Sequence, residues 1–352
     1  MHIGVNILSL EPGYDEEDVY LRNVLVKMRG IQPDTRFTLF TDAKNHSSFE
    51  GWNRIFIGKQ APPGLGPSVV TERTLDRAAK SAGVDLVFTP LQTAAEISAC
   101  PILPYVLDLK FVEGLEPQSG WRSPSLAKEF RKLCAKAQVI VSPSESIRRR
   151  LLELLGVPMD KVVVAPPGAD PGFEAPQSSI AEKPFLITFS DMRHREHLAL
   201  LMEAFKKLKD EIPHNLVVVG RPDANEPEDW GSRVLRVHAC PVPQLAGLLQ
   251  HSDAFVSASL HEGACITILE AMRAGARIIA PRVGGVPEIA AALPIYYNHE
   301  SVASLIGAIR RALQEDEPER GRQIAFARSR AREYTWERCA WTTLSAFKRV
   351  HP

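Results

Sequence analysis

Short runs rich in Val, Ile and Phe alternate with longer stretches of helical period, and the alternation passes through the chain twice. That rhythm constrains the fold strongly. A strand buried on both faces reads as a continuous apolar run, and parallel neighbours need a crossover that a helix supplies. In the first half the pattern predicts strands over residues 2–8, 36–41, 54–57, 85–89, 105–107, 139–142 and 162–165. Helices are predicted over 18–28, 70–81, 125–136 and 144–155, the last stopped by Gly156 and Pro158. The stretches 166–172 and 175–179 are dense in Pro and Gly and break the periodicity, which marks a linker. The pattern then restarts, with strands over 185–189, 216–219, 234–238, 254–257 and 277–280.

Helical spacing in the second half places Leu198, Leu201, Phe205 and Leu208 on one buried stripe, and Val302, Leu305, Ile309 and Leu313 on another. Trp336, Ala340, Leu344 and Phe347 share one face of a closing helix. The expected fold class is therefore α/β, with two Rossmann-like domains whose strand ends face each other across a cleft. Their expected bounds are 1–172 and 173–330, followed by a C-terminal helix over 331–352.

Bulk properties remove several classes of function. At 352 residues the chain fits two domains of roughly 150–180 residues. Lys plus Arg equal Asp plus Glu at 42 each, so no global field draws it to nucleic acid. No apolar run reaches the roughly 20 residues that a membrane helix needs, and the first ten residues read as a strand rather than a secretory signal. Cys100, Cys134, Cys240, Cys265 and Cys339 are odd in number, scattered and without C-x-x-C spacing. They are expected to be reduced thiols of a cytoplasmic protein, and no metal site is expected.

The richest stretch is Ser259-Leu-His-Glu-Gly-Ala-Cys-Ile-Thr-Ile-Leu-Glu-Ala-Met272, which leaves a strand and opens a helix. Glu262 falls in the loop and Glu270 in the first helical turn. Two carboxylates so placed can hold hydroxyls on separate parts of an extended ligand, and the helix start beside them offers N–H groups to phosphate. Thr267 to Glu270 also fits a capping box, in which Glu270 folds back on its own helix. Farther on, Gly284 and Gly285 allow a close backbone approach, and Pro287 suits the turn of helix after them.

With its flanking residues this stretch resembles the retaining glycosyltransferases of family GT4. Glu262 and Glu270 match the E-x7-E motif. The segments Pro243-Gln-Leu, 248–257, Glu270-Ala-Met and Gly284-Gly-Val-Pro-Glu288 follow the family in order, as do Gly168-Ala-Asp170 and Tyr334-Thr-Trp-Glu337. The resemblance implies a GT-B fold, with the closing helix crossing back to the first domain. It implies transfer of a sugar from a nucleotide-diphosphate sugar to an acceptor hydroxyl with retention, without cofactor or essential metal. Glu262 would then lie near the donor sugar and Glu270 at the ribose hydroxyls. Gly263, Ala264, Cys265 and Ile266 would line the donor with backbone, beside Gly284 and Gly285.

Four departures fall on positions that such chemistry uses. Asp15 and Glu16 stand where the family has glycines after the first strand; acidic residues there either support the helix start or change the ligand. Leu107 replaces a histidine before Asp108, which is a candidate for acceptor contact or for loop capping. Ser190 replaces a glycine and Glu196 a lysine in the basic cluster, leaving Arg193 and Arg195 as diphosphate candidates or as solvated charges. Cys265 replaces a glycine and Ala264 a phenylalanine, which is expected to narrow the approach to the sugar. These departures set a second reading beside sugar transfer, a catalytically degenerate relative that serves as a binding or partner subunit; a third is another GT-B activity, an epimerase or a phosphorylase. The expected partners are a nucleotide sugar and a carbohydrate or glycoconjugate acceptor, with no nucleic acid. Peripheral contact with the inner face of a membrane through Ile147-Arg-Arg-Arg150 stands against a solvated helix face.

Overall fold

The computed structural model describes all residues except 9, 14–15, 58–66, 91–96, 110–111, 113–121, 190–194, 221–229, 239, 315–316 and 352. The side chains of 67–73, 122–126, 195–197 and 317 are also outside it. The chain forms two compact units, Met1–Pro166 with Trp336–Pro352, and Pro167–Thr335.

The N-terminal unit runs β1 (His2–Asn6), α1 (Glu16–Ile31), β2 (Arg36–Thr41), β3 (Asn53–Phe56), α2 (Pro67–Ala82), β4 (Leu86–Thr89) and β5 (Ile102–Pro104). It continues with α3 (Arg122–Lys136), β6 (Ile140–Ser142), α4 (Glu145–Leu155) and β7 (Val162–Val164). The first five strands form one parallel sheet in the order β3-β2-β1-β4-β5, with Val5 opposite Leu39 on one side and Phe88 on the other. Its middle strand is buried along its whole length. Gly4 there leaves room for the Phe40 ring, which lies 2.6 Å from where a Cβ would stand. The pair β6-β7 is parallel and joins through a bridge between Tyr105 and Val141.

The fifth strand lies earlier than its expected place at 105–107. Ile102 registers with Val87 and Pro104 with Thr89, after which the amide of Tyr105 bonds Thr89 and that of Val106 turns to Val141. A proline closing an edge strand costs no ladder bond, so Pro104 can end the strand there. In α4, Arg148 pairs with Glu145 at 2.9 Å and Arg150 with Glu153 at 2.8 Å.

The C-terminal unit runs β8 (Phe185–Phe189), α5 (Arg195–Leu208), β9 (Asn215–Val219), β10 (Val234–Val237), α6 (Val242–His251), β11 (Ala254–Val256) and α7 (Ile266–Ala274). After these come β12 (Ile278–Pro281), α8 (Val286–Ala290), β13 (Ile295–Tyr297), α9 (Val302–Gln314) and α10 (Glu317–Ala331). All pairings are parallel, in the order β10-β9-β8-β11-β12-β13. Alternate residues serve opposite faces. Phe185 and Ile187 meet Ile268, Leu269 and Met272 in one layer, while Leu186 meets Leu201, Phe205, Leu305 and Ile309 in the other. The helical stripe read at residues 198–208 lies in this second layer.

Arginines finish most of these helices. Arg328 donates to the Ala274 carbonyl at 2.8 Å, Arg330 to Glu288 at 2.6 Å and to Ile289, and Arg320 to Ser252 at 3.5 Å. One helix, α10, thus answers the C-terminal ends of α6, α7 and α8, where carbonyls lack partners and the macrodipole is negative.

The closing helix α11 (Trp336–Val350) belongs to the N-terminal unit. Phe347 meets Phe88 edge-on at 5.4 Å, Trp336 meets Tyr20 at 6.1 Å, and Tyr20 stacks on Tyr105 at 4.0 Å. The Tyr105 hydroxyl and the Cys339 thiol both donate to the Ala165 carbonyl. Burial pushes the Cys339 thiol up to about 12, so it stays protonated there. This is the return to the first domain that the family resemblance implies.

Two outcomes follow from these contacts. Arg330→Met leaves the last carbonyls of α8 unanswered and should lower stability in urea unfolding by about 2 kcal/mol, with Arg330→Lys recovering part. His2 is buried with Nε2 2.8 Å from the Thr38 hydroxyl; burial, aided by Arg36, lowers its pKa from 6.5. Its neutral form is the native one, so this stabilisation is complete above pH 6.5 and fades as pH falls. The unfolding midpoint should therefore drop more steeply between pH 7 and 5 in the wild type than in His2→Gln.

Candidate functional site

The strand order of the C-terminal sheet reverses between β8 and β11, and ligands of such sheets bind beyond the carboxyl ends of the strands at that point. Two helices start there, α5 after β8 and α7 after β11. The loop 257–265 that leads into α7 carries Glu262.

Glu262 is only 7% exposed, and the Ser257 hydroxyl donates to its Oε1 at 3.4 Å. Its backbone is held as firmly as its side chain. The Gly285 N–H donates to the Glu262 carbonyl at 2.6 Å. A Cβ on Gly284, whose φ is +54°, would fall 2.2 Å from that same oxygen, and one on Gly285 would fall 3.1 Å from both the Cys265 sulfur and the Gly263 carbonyl. What the glycine pair permits in this structure is the approach of one loop to another. Gly263, Ala264, Cys265 and Ile266 are all buried beneath this contact.

Cys265 is the N-cap of α7, at φ 55° and ψ 32°. A glycine would adopt this left-handed conformation freely, whereas an L side chain there carries strain of about 1–2 kcal/mol. Its sulfur turns inward, fully buried, 3.6 Å from the Glu262 carbonyl. The expectation that a side chain at 265 narrows the approach to a ligand is thereby corrected: the thiol fills core.

The capping box also gives way. Because the helix starts at Ile266, Thr267 is already helical, and no acidic residue lies in the first turn. Glu270 therefore sits more than a turn inside, half-buried, and cannot fold back onto the N-cap as a capping-box residue does. The start of α7 has no side-chain cap.

Other candidates are distributed differently. Arg193, Ser190 and Asp15 lie outside the described residues. Arg195 opens α5 and Glu196 follows it, with their side chains outside the description. Asp108 and Leu107 belong to the N-terminal unit, Asp108 half-buried and Leu107 in its core. In the same unit Glu16, Glu17 and Asp18 form the first turn of α1. Asp18 is buried and accepts from the Gly13 N–H at 3.2 Å and from Arg22 Nε at 2.8 Å. Among the described residues no group of three or more His, Cys, Asp or Glu is placed to hold a metal ion.

Two residues went unread in the sequence. Tyr297 donates its hydroxyl to the Ser257 carbonyl at 3.0 Å, and burial next to the Glu262 charge holds its pKa well above the usual phenol range. Arg282, exposed at the end of β12, lies over the Tyr296 ring at 4.3 Å. The signal for Tyr297 was slight, because β13 is a three-residue strand just after Pro294.

Residues 173–330 match the family described as glycosyl transferases group 1, and residues 28–173 match glycosyltransferase family 4. The chain is 23% identical over 246 residues to O-antigen chain mannosyltransferase B of Escherichia coli, a match that takes in 63% of this chain and 64% of that one, less than two thirds of its length. It is 22% identical over 288 residues to alpha-maltose-1-phosphate synthase of Mycolicibacterium smegmatis, over 70% and 73% of the two chains. In structure it resembles sucrose-phosphate synthase of Thermosynechococcus elongatus, with TM-score 0.78, 16% identity and 99% and 98% of the chains covered. It equally resembles HepE of Anabaena, solved in complex with UDP and glucose, with TM-score 0.77, 16% identity and 99% and 100% covered. Two adjoining family matches run from residue 28 to 330, and the chain is a member of the GT4 glycosyltransferases with the GT-B fold.

Proposed function

We propose that this protein transfers a sugar from a nucleotide-diphosphate sugar to an acceptor hydroxyl, with retention at the anomeric carbon. The observation that carries the reading is the start of α7 at the strand-order reversal, without a side-chain cap and flanked by Glu262 and Glu270. A helix start of this kind attracts phosphate oxygens through its N–H groups and partial positive charge. Glu270 takes the ribose hydroxyls, and Glu262 faces the donor sugar. In the reaction the anomeric carbon loses its bond to the diphosphate and gains one to the acceptor oxygen on the same face. The acceptor proton leaves with the nucleoside diphosphate. Preorganised donors at the departing charge supply much of the catalysis in such a scheme, with Arg193 and Arg195 as further diphosphate contacts and Asp108 on the acceptor.

The names of similar proteins support this reading: a mannosyltransferase, two synthases of sugar phosphates, and a protein bound to UDP and glucose. The acceptor class we propose is a carbohydrate or glycoconjugate. No described helix is long and apolar enough to cross a membrane.

A second reading, a binding subunit without turnover, is favoured by one observation. Asp18 already occupies the Gly13 amide in the loop after β1, where the family resemblance implies a contact with donor phosphate. A thermal-shift panel of UDP, GDP and ADP with their sugars separates the two. Transfer predicts that one nucleotide series raises the midpoint, that Glu270→Ala removes at least tenfold of its affinity (roughly 1.4 kcal/mol), and that Glu262→Gln keeps nucleotide binding but lowers donor turnover by about 100-fold. No shift with any of them at millimolar concentration overturns the reading. A shift without turnover leaves the binding subunit.

A further inference from the structure

Behind Glu262 the C-terminal sheet carries a string of hydrogen bonds that reaches across three strands. Ser257 follows the last residue of β11, and Tyr297 ends β13, with β12 between them in the sheet. The Tyr297 hydroxyl donates to the Ser257 carbonyl at 3.0 Å, and the Ser257 hydroxyl donates to Glu262 Oε1 at 3.4 Å. All three residues are buried, at 6%, 4% and 7% exposure. Ser257 is thus held through its backbone while its side chain meets the carboxylate.

We infer that Ser257 and Tyr297 are positioning residues for Glu262, fixing the orientation of its carboxylate toward the donor sugar. The inference rests on the proposed place of Glu262 beside that sugar. Small misplacement of a group that must meet a reacting centre costs rate steeply. The backbone bond from Gly285 sets where the residue stands, and the Ser257 hydroxyl meets its carboxylate. Tyr297 in turn restricts Ser257, in a region dry enough that its phenol stays protonated and remains a donor.

The variants Ser257→Ala, Ser257→Thr and Tyr297→Phe test this, with the nucleotide sugar whose series stabilises the wild type. Donor turnover and the affinities for that nucleotide sugar and for the free nucleoside diphosphate are measured in each. Ser257→Ala should lower kcat about tenfold and Tyr297→Phe about fivefold. The extra affinity contributed by the sugar should fall in both, while affinity for the free diphosphate stays within about twofold, because Glu270 and the start of α7 are untouched. Ser257→Thr, which keeps the hydroxyl, should restore turnover. The inference is overturned if Ser257→Ala and Tyr297→Phe match the wild type while Glu262→Gln is inactive. It is also overturned if turnover and free-diphosphate affinity fall together, the mark of general damage. Unchanged turnover in Glu262→Gln would instead remove the proposed role of Glu262, and this inference with it.

Discussion

The contact on which the candidate site depends is a backbone hydrogen bond, from Gly285 N–H to the carbonyl of Glu262 at 2.6 Å. It ties the loop after β12 to the loop after β11 with no side chain between them. Gly284 makes it possible, since its left-handed φ and its missing Cβ are both required by the oxygen 2.2 Å from where a Cβ would be. Any other residue there would push the Glu262 loop away from the sheet edge. Cys265 completes the joint from below, its sulfur filling the space against Gly285 while its backbone takes the left-handed turn that opens α7. The strain of a non-glycine in that conformation is offset by burial of the thiol in the core layer that also contains Ile268 and Met272.

That joint is anchored from the far end as well. The helices α6, α7 and α8 run from the ligand edge of the sheet toward α10, and α10 returns an arginine to the last carbonyls of each. The consequence is an asymmetry in how helix ends are satisfied. Carbonyl ends are answered by guanidinium groups, which suits the negative end of the macrodipole. The start of α7 has no capping side chain. Cys265 at that position takes a left-handed backbone and turns its sulfur into the core, so it serves the joint with Gly285 rather than capping the helix.

Much of this was legible in the sequence, and the failures have physical causes. Two strands, 36–41 and 185–189, were read to the residue, one from its alternating Phe, Leu and Thr and the other from its apolar run after Pro184. The E-x7-E spacing located the loop and helix that the strand-order reversal selects. Local motifs misled where a longer-range contact decides. Thr267 and Glu270 have capping-box spacing, yet the Gly285 lock draws the chain into the helix at Ile266, ahead of that box. The glycine pair reads in sequence as a close approach to a ligand or as a turn that redirects the chain, and neither reading reports the Glu262 carbonyl that demands glycine at 284. Tyr297 was invisible for another reason. Its partner Ser257 is forty residues away, just past a strand that is not its neighbour, and no periodicity reports such a pairing.

The starts of α1 and α7 are built in opposite ways, and the difference bears on where a diphosphate can be held. At the start of α1 three carboxylates fill the first turn, and Asp18 reaches back to take the Gly13 amide while Arg22 pairs with the same oxygen. The partial positive charge of that helix is already met by protein anions, and a phosphate arriving there would meet like charge in a partly desolvated setting, where repulsion is strongest. At the start of α7 the first turn holds no acidic residue, and the two glutamates stand to either side of it. One is in the loop before it, the other more than a turn along. Hydroxyl-bearing parts of a ligand can meet those carboxylates while an anionic part meets the helix end between them. Within the proposed reading, the C-terminal unit therefore binds the nucleotide sugar without the loop after β1. The departures from the family pattern at that loop bear on which donors are excluded, and leave the joint between Glu262 and Gly285 intact.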